Sequence, residues 1–376
     1  MPTSGPQSSA AATADAGPDI ALPIADLSPS HEDYAVDVCE RLFAAARQHR
    51  ASDLHLVPRR EGLSVAFRID GLLQPATETL PGGERIVARL KVLAGLLTYR
   101  SGVPQEGRIE REGEQSIRLV TCPTVLGEKA ILRWTADTIR LSLGELGLPE
   151  TTRQRWEAML AAPQGLLLVT GPAGSGKTTT AYASLRYLQQ HAATSRAIVT
   201  LEDPVEAVLD GVAQTQLSPS EGWDFAEGLR ASLRHDPEVL LVGEIRDPDT
   251  IATAVRGALT GHLLLSTLHT STPAEAIVRI LDLGIEPYLV ASSLRGVLQQ
   301  RLVRRRTGGR LLLTDLLDPT EEAVLACIKS RPTTAELAAV AGGRSVLDQA
   351  RDLLAEGTID RAEFVRVFGL VPLTGS

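Results

Sequence analysis

The stretch "GPAGSGKTTT", Gly171 to Thr180, limits what this chain can become more than any other part of it. Gly171, Gly176, Lys177 and Thr178 satisfy G-x-x-x-x-G-K-[ST], with the apolar run "GLLLVT" before them and the helix-compatible "TTTAYASLRYLQQ" after them. In that setting the glycines let backbone N–H groups curl inward around a β-phosphate, and the helix start adds its positive end. Gly171, Pro172, Ala173, Gly174, Ser175, Gly176, Lys177, Thr178 and Thr179 therefore form the expected ATP cradle. Lys177 supplies a point charge to the β- and γ-phosphates, and the Thr178 hydroxyl is a ligand for Mg²⁺.

A loop of this kind needs a parallel sheet around it, and the sequence supplies one. Short apolar runs without alternation, "GLLLVTG", "RAIVTLED", "EVLLVGE" and "HLLLSTLH", are separated by helical segments. Runs of this type mark strands covered on both faces, joined by right-handed crossovers. The fold class is α/β. Active groups in such sheets sit at the carboxyl ends of the strands. Three strand ends carry candidates: Glu202, Asp203 and Glu206 in "TLEDPVE"; Glu244 and Asp247 in "VGEIRD"; Ser266, Thr267 and His269 in "STLHT", with His262 at that strand's start. Gly243 stands before Glu244, where many P-loop ATPases carry an Mg²⁺-organising Asp, so a second carboxylate must come from another strand. Glu244 is assigned to the attacking water, and Glu202 to the Mg²⁺ and water shell. The two histidines are assigned to sensing nucleotide.

Around this core the chain divides. Residues 1–30, rich in Ala, Ser, Pro and Gly without apolar period, are expected to be a disordered tail. Residues 31–140 read as a small α+β domain and 141–150 as a linker. Residues 151–283 read as the ATPase core, and 284–376, including "VASSLRGVLQQRLVRRR" and "SVLDQARDLLAEG", as a helical portion. The formal net charge of −8 and an aromatic content of 3% disfavour a nucleic-acid partner, which would want a cationic, stacking surface. Cys39, Cys122 and Cys327 lie far apart without a CxxC pair, so they read as small buried residues in a reducing cytosol, and no zinc is expected. No apolar run approaches the roughly 18 residues of a membrane span. The first basic residue is Arg41, so no signal peptide is expected at the start.

With four strand-end motifs in order, the sequence resembles the secretion ATPase family that powers type II secretion and type IV pilus assembly. "GPAGSGKTTT" resembles its Walker A loop, "TLEDPVE" its Asp box, "LLVGEIRD" its Walker B and "TGHLLLSTLHT" its His box. "ASDLHL", "FRIDGLL", "VPQEGRI" and "CPTVLGEKAILR" are similar to its PAS-like amino-terminal domain, and "LQQRLVRR" and "GTIDRAEFVRV" to its carboxy-terminal portion. The resemblance implies a RecA-like ATPase domain and a homo-hexameric ring. It also implies arginines that reach a neighbour's γ-phosphate: Arg118 and Arg133 of the first domain, with Arg230 and Arg234 as a second pair in the motor domain. The implied partners are an inner-membrane platform protein and a membrane-bound docking protein, which would hold a cytoplasmic chain peripherally at the inner membrane. The family's extra amino-terminal docking module and its tetracysteine zinc subdomain are expected to be missing, since "VRRRTGGRLLL" has no cysteine. The compact form resembles competence-pseudopilus ATPases. A retraction-type pilus motor would share every catalytic residue, and a hexameric nucleic-acid translocase or a non-hydrolysing ATP-binding scaffold are readings of other kinds.

Overall fold

The computed structural model describes residues 20–111, 115–134, 140–191, 196–217 and 223–370. It separates into two compact units, residues 1–136 and 137–376.

The first unit follows period two in its strands and period 3.6 in its helices. Helix α1 (Tyr34–Gln48) precedes β1 (Asp53–Arg59), β2 (Gly62–Ile69) and β3 (Leu72–Leu80). Helix α2 (Gly83–Leu93) leads into β4 (Gln105–Ile109), β5 (Ile117–Thr124) and β6 (Gly127–Trp134). The sheet order is β3-β2-β1-β6-β5-β4, with every pair among these antiparallel. Leu54, Leu56, Val65, Phe67, Leu119 and Leu132 point to one face, where Val38, Leu42 and Phe43 of α1 and Ile86 and Leu90 of α2 close the core. The alternate residues, Asp53, His55, Arg68, Arg118 and Arg133 among them, belong to the other face, which no described helix of this unit covers.

The expected tail is shorter than 30 residues. Residues 1–19 lie outside the described residues, but Ile20 and Leu22 are buried in the first core, Ile20 bridges to Ala76, and Arg41 binds the Pro23 carbonyl and the Asp26 carboxylate. Two apolar residues and an ion pair are enough to fix a segment whose composition alone says otherwise.

In the second unit a 3₁₀ turn (Leu143–Glu145) and α3 (Glu150–Leu160) lead to β7 (Gly165–Thr170), α4 (Lys177–His191), β8 (Ile198–Glu202), β9 (Ala213–Gln216) and α5 (Phe225–Ser232). Then come β10 (Val239–Val242), α6 (Pro248–Leu259), β11 (Leu263–Leu268), α7 (Pro273–Asp282) and α8 (Pro287–Ser293). The chain ends with β12 (Leu294–Arg304), β13 (Arg310–Leu317), α9 (Glu322–Lys329), α10 (Thr334–Ala341), α11 (Val346–Ala355) and α12 (Arg361–Phe368). The sheet order is β13-β12-β7-β11-β10-β8-β9. All neighbours are parallel except β12 and β13.

Strands β7, β10 and β11 are buried at every position, and their alternate residues feed two different cores. Leu166, Leu168, Leu240 and Leu264 join one, and Leu167, Val169, Leu241 and Leu265 the other. That division is why the sequence shows runs and not alternation.

The stretch expected as a linker belongs to this unit. Its turn is closed by a reciprocal Ser142–Glu145 capping box, and Leu143 is buried beside Trp156 and Leu185.

A second correction concerns residues 294–317, expected to be helical. They form strands β12 and β13, and β12 lies between β7 and β13. The polar pair Gln299 and Gln300 hid the strand: both are buried, one on each face, with Gln299 Nε2 donating to the Ser271 carbonyl and Gln300 Nε2 to Thr180 Oγ1. The remainder of the carboxy-terminal region is helical, and Val346, Ala350 and Phe364 of α11 and α12 pack with Val303 and Leu313 in a small separate core.

Candidate active site

Because β7, β8, β10 and β11 run parallel, their carboxyl ends share one edge of the sheet, and a cleft of about 230 Å³ opens there. Ala173 and Gly174 line it from the loop after β7, Lys177 and Thr178 from the start of α4, Glu202 from the end of β8 and Glu206 from beyond it, Glu244 from beyond β10, and Thr267 and His269 from the end of β11.

The loop has the backbone its sequence calls for. Gly171, Gly174 and Gly176 have φ of 144°, 75° and 91°, in the region that favours glycine. A Cβ at Gly171 would lie 2.4 Å from the Gln300 carbonyl oxygen, so strand β12 presses against the loop from behind. Lys177 begins α4 and is 7% exposed; its Nζ donates to the carbonyls of Gly171 and Pro172, both at 2.9 Å. Burial pulls its pKa down to about 8, with the charge of Glu244 opposing the shift. The Ser175 hydroxyl is buried without a hydrogen-bond partner among the described residues, and Thr178 is exposed at the helix start.

A desolvated ammonium held only by carbonyls, an orphaned hydroxyl and a glycine cradle at a helix N-terminus together fit a phosphate chain. No group of three or more His, Cys, Asp or Glu among the described residues could hold a metal ion by itself. A divalent cation here would depend on one or two protein groups together with ligand oxygens.

Glu202 is 3% exposed and accepts from Thr200 Oγ1 at 2.6 Å, from Gln214 Nε2 at 3.2 Å and from the Tyr182 hydroxyl. Burial, together with the bond to this carboxylate, pushes the Tyr182 phenol well above its ordinary value. Glu202 thus lines the same cleft as Glu244, a second carboxylate from a neighbouring strand. At Gly243 a Cβ would stand 3.2 Å from the Leu201 carbonyl oxygen, a tight fit against the neighbouring strand.

Glu244 is partly exposed; Arg246 Nη2 pairs with its Oε1, and His269 Nε2 stands 3.7 Å from its Oε2. Burial, and then the charge of Lys177, holds the His269 imidazolium pKa below its usual range, so this histidine is neutral at pH 7. Asp247 caps α6, accepting from the Thr250 amide at 2.8 Å and its hydroxyl at 2.6 Å, and Ser266 and Thr267 bond the carbonyls of Val242 and Gly243. Ser266 and Thr267 thereby tie the end of β11 to that of β10, while Asp247 serves its own helix.

Five expected residues lie elsewhere. His262 precedes β11, with Nδ1 3.1 Å from the Gly257 carbonyl oxygen, so it sits at the opposite edge of the sheet. The six-residue strand separates it from the cleft by roughly 15–20 Å; its assignment to this site is overturned. Arg230 and Arg234 are exposed and do not line the cleft of their own chain; α5 ends at Ser232, so Arg234 lies beyond the helix, with Nη1 on the Arg230 carbonyl at 3.1 Å. Arg118 and Arg133 belong to the first unit, directly opposite each other on β5 and β6. The cysteine reading also needs correction: Cys39 is buried, Cys327 partly so, and Cys122 exposed.

Sequence reasoning missed Tyr182, Thr200 and Gln214 around Glu202, Arg246 on Glu244, and Gln300 behind the loop. Only Arg246 and Thr200 carried a signal, each being two residues from the carboxylate it serves.

A family model described as "Type II/IV secretion system protein" matches residues 30–358. The type II secretion system protein E of Pseudomonas aeruginosa is 45% identical over 296 residues, covering 75% of this chain and 58% of that protein. The type II secretion system ATPase E of Vibrio cholerae is 43% identical over 288 residues, 74% of this chain and 56% of its own length. This chain thus spans somewhat over half of the relatives it matches. The crystal structure of the pilus retraction motor PilT with bound ADP is 28% identical, with a TM-score of 0.68 over 86% of this chain and 95% of that one. The ATPase DotB of Legionella pneumophila shares the fold, with a TM-score of 0.76 at 23% identity over 92% of this chain and 98% of that one. On the family match across its two units and on identities above 40%, this chain belongs to the type II/IV secretion system protein family.

Proposed function

We propose that this chain is a motor ATPase that hydrolyses Mg·ATP in a homo-hexameric ring to drive assembly of a type II pseudopilus or type IV pilus at the inner membrane. One observation carries the reading: four parallel strand ends bring Lys177, Glu202, Glu244 and His269 to one cleft. Lys177 and the loop amides would hold the phosphates, with Thr178 and Glu202 as the protein's contribution to Mg²⁺, whose role is to neutralise charge on the β- and γ-oxygens. Glu244 would orient the attacking water, and for this it must leave Arg246. Arg118 and Arg133 of a neighbouring protomer would stabilise the γ-phosphate, and Arg230 and Arg234 face outward as a second set for such a contact.

Hydrolysis would loosen that contact and let the two units turn, a rotation handed to a membrane platform protein. A membrane-bound docking protein would hold the ring there; among the described residues no helix is long and apolar enough to cross a membrane. The higher identity to relatives named for secretion supports assembly over retraction. Glu244→Gln tests the catalytic assignment: ATP turnover should fall about 10²–10⁴-fold with nucleotide still bound, and undiminished turnover would refute it. Native mass measurement of that variant with ATP should show a six-fold assembly.

A further inference from the structure

In the first unit, backbone register places five charged residues in one row across the sheet: Arg68, Asp53, Arg133, Arg118 and Arg108. Four guanidinium groups share that row with one carboxylate. Like charges placed directly opposite each other across strands destabilise a sheet, and Arg118 faces Arg133 in this way.

The carboxylate is unusual for its burial. The Asp53 side chain is 4% exposed, its Oδ1 accepts from Arg133 Nε at 2.7 Å, its Oδ2 accepts from Ser52 Oγ at 2.8 Å, and Arg68 Nε stands 3.6 Å away. A guanidinium offers five N–H donors in a fixed plane. Arg133 gives Asp53 only its Nε, which sets that plane, and its side chain is 62% exposed with no hydrogen bond from either Nη among the described residues. Arg118 is held differently. Its Nη2 pairs at 2.7 Å with Glu106, itself 52% exposed, while its Nε is buried without a hydrogen-bond partner among the described residues. An exposed pair of this kind is worth at most about 1 kcal/mol, so it exchanges readily.

We propose that Asp53 is a positioning residue: it anchors Arg133 through Nε so that both Nη groups face outward as a preset fork for a phosphate, while Arg118 is the arginine that leaves its acidic partner to join it. The inference rests on the reading of Arg118 and Arg133 as groups acting on a neighbouring protomer's nucleotide. It adds that the two are unequal, one fixed beforehand and one recruited.

The test uses the full chain and ATP turnover. Arg133→Ala and Asp53→Asn should each lower kcat about 10–10²-fold with KM changed less than about threefold, and the double variant should be no worse than Arg133→Ala alone, since both remove one interaction. Guanidinium chloride at millimolar concentration should restore part of the turnover of Arg133→Ala, but none in the double variant, where nothing is left to seat it. Glu106→Gln should leave kcat unchanged or raise it. If Arg133→Ala loses turnover while Asp53→Asn keeps it, or the two losses multiply, the positioning role is wrong and the shared site survives. If Arg133→Ala itself is harmless, the shared site falls and this inference with it. Should Asp53→Asn fail to fold, Arg133→Lys decides: one ammonium cannot both bind Asp53 and project a fork, so full activity in that variant would overturn the proposal.

Discussion

The two sheets of this chain place their chemistry in opposite ways. The second sheet buries both faces, divides alternate residues of one strand between two cores, and leaves functional groups only at its strand ends. The first packs helices on one face and carries a row of charges across the other. The difference teaches where each can react. A sheet covered on both sides must work at its edge, whereas a sheet covered on one side can present a surface to another protomer.

Core substitutions should break this comparison first if it is wrong. Leu264, fully buried at the centre of the second sheet, should cost about 2–5 kcal/mol when replaced by Ala, because the lost contacts and the cavity add. Val120 on the open face of the first sheet is only half-buried, and Val120→Ala should cost under about 1 kcal/mol. Chemical denaturation of the two variants measures both, and equal losses would mean the open face is in fact a core.

A smaller effect sharpens the comparison at the strand ends. Lys177 has a pKa of about 8 in the nucleotide-free chain because burial penalises its charge, whereas bound phosphates would favour the charged form. The sign follows: below pH 8 the ammonium is already charged and binding takes up no proton, while above it each binding event must protonate Lys177. Nucleotide affinity should therefore weaken by up to about tenfold per pH unit above 8. Calorimetry at pH 9 in two buffers of different ionisation enthalpy should show uptake of close to one proton. Proton-independent binding would mean that Lys177 stays charged in the free site.

What was legible in the sequence follows from the same physics. The cleft could be read because each of its strands is a continuous apolar run ending in a polar group, which fixes both the strand and its reactive end. Residues 294–317 could not, since Gln299 and Gln300 are satisfied by partners distant in sequence and mimic the polar positions of a helix. His262 looked like a twin of His269, yet strand direction alone puts them at opposite edges. Asp53 could be seen as part of a motif, but nothing local indicated that its partner would be Arg133, 80 residues away. The buried Ile20 and Leu22 were lost within a segment whose average composition spoke for disorder.

Subunit mixing tests the proposed shared site most directly. Arg133→Ala and Glu244→Gln protomers, each impaired alone, are combined and assayed for ATP turnover. Where the arginine acts in trans, some interfaces pair an intact Arg133 with an intact Glu244 of the neighbour, so the mixture should regain a substantial fraction of activity while the double variant stays inactive. A mixture no more active than the sum of its parts would contradict the account.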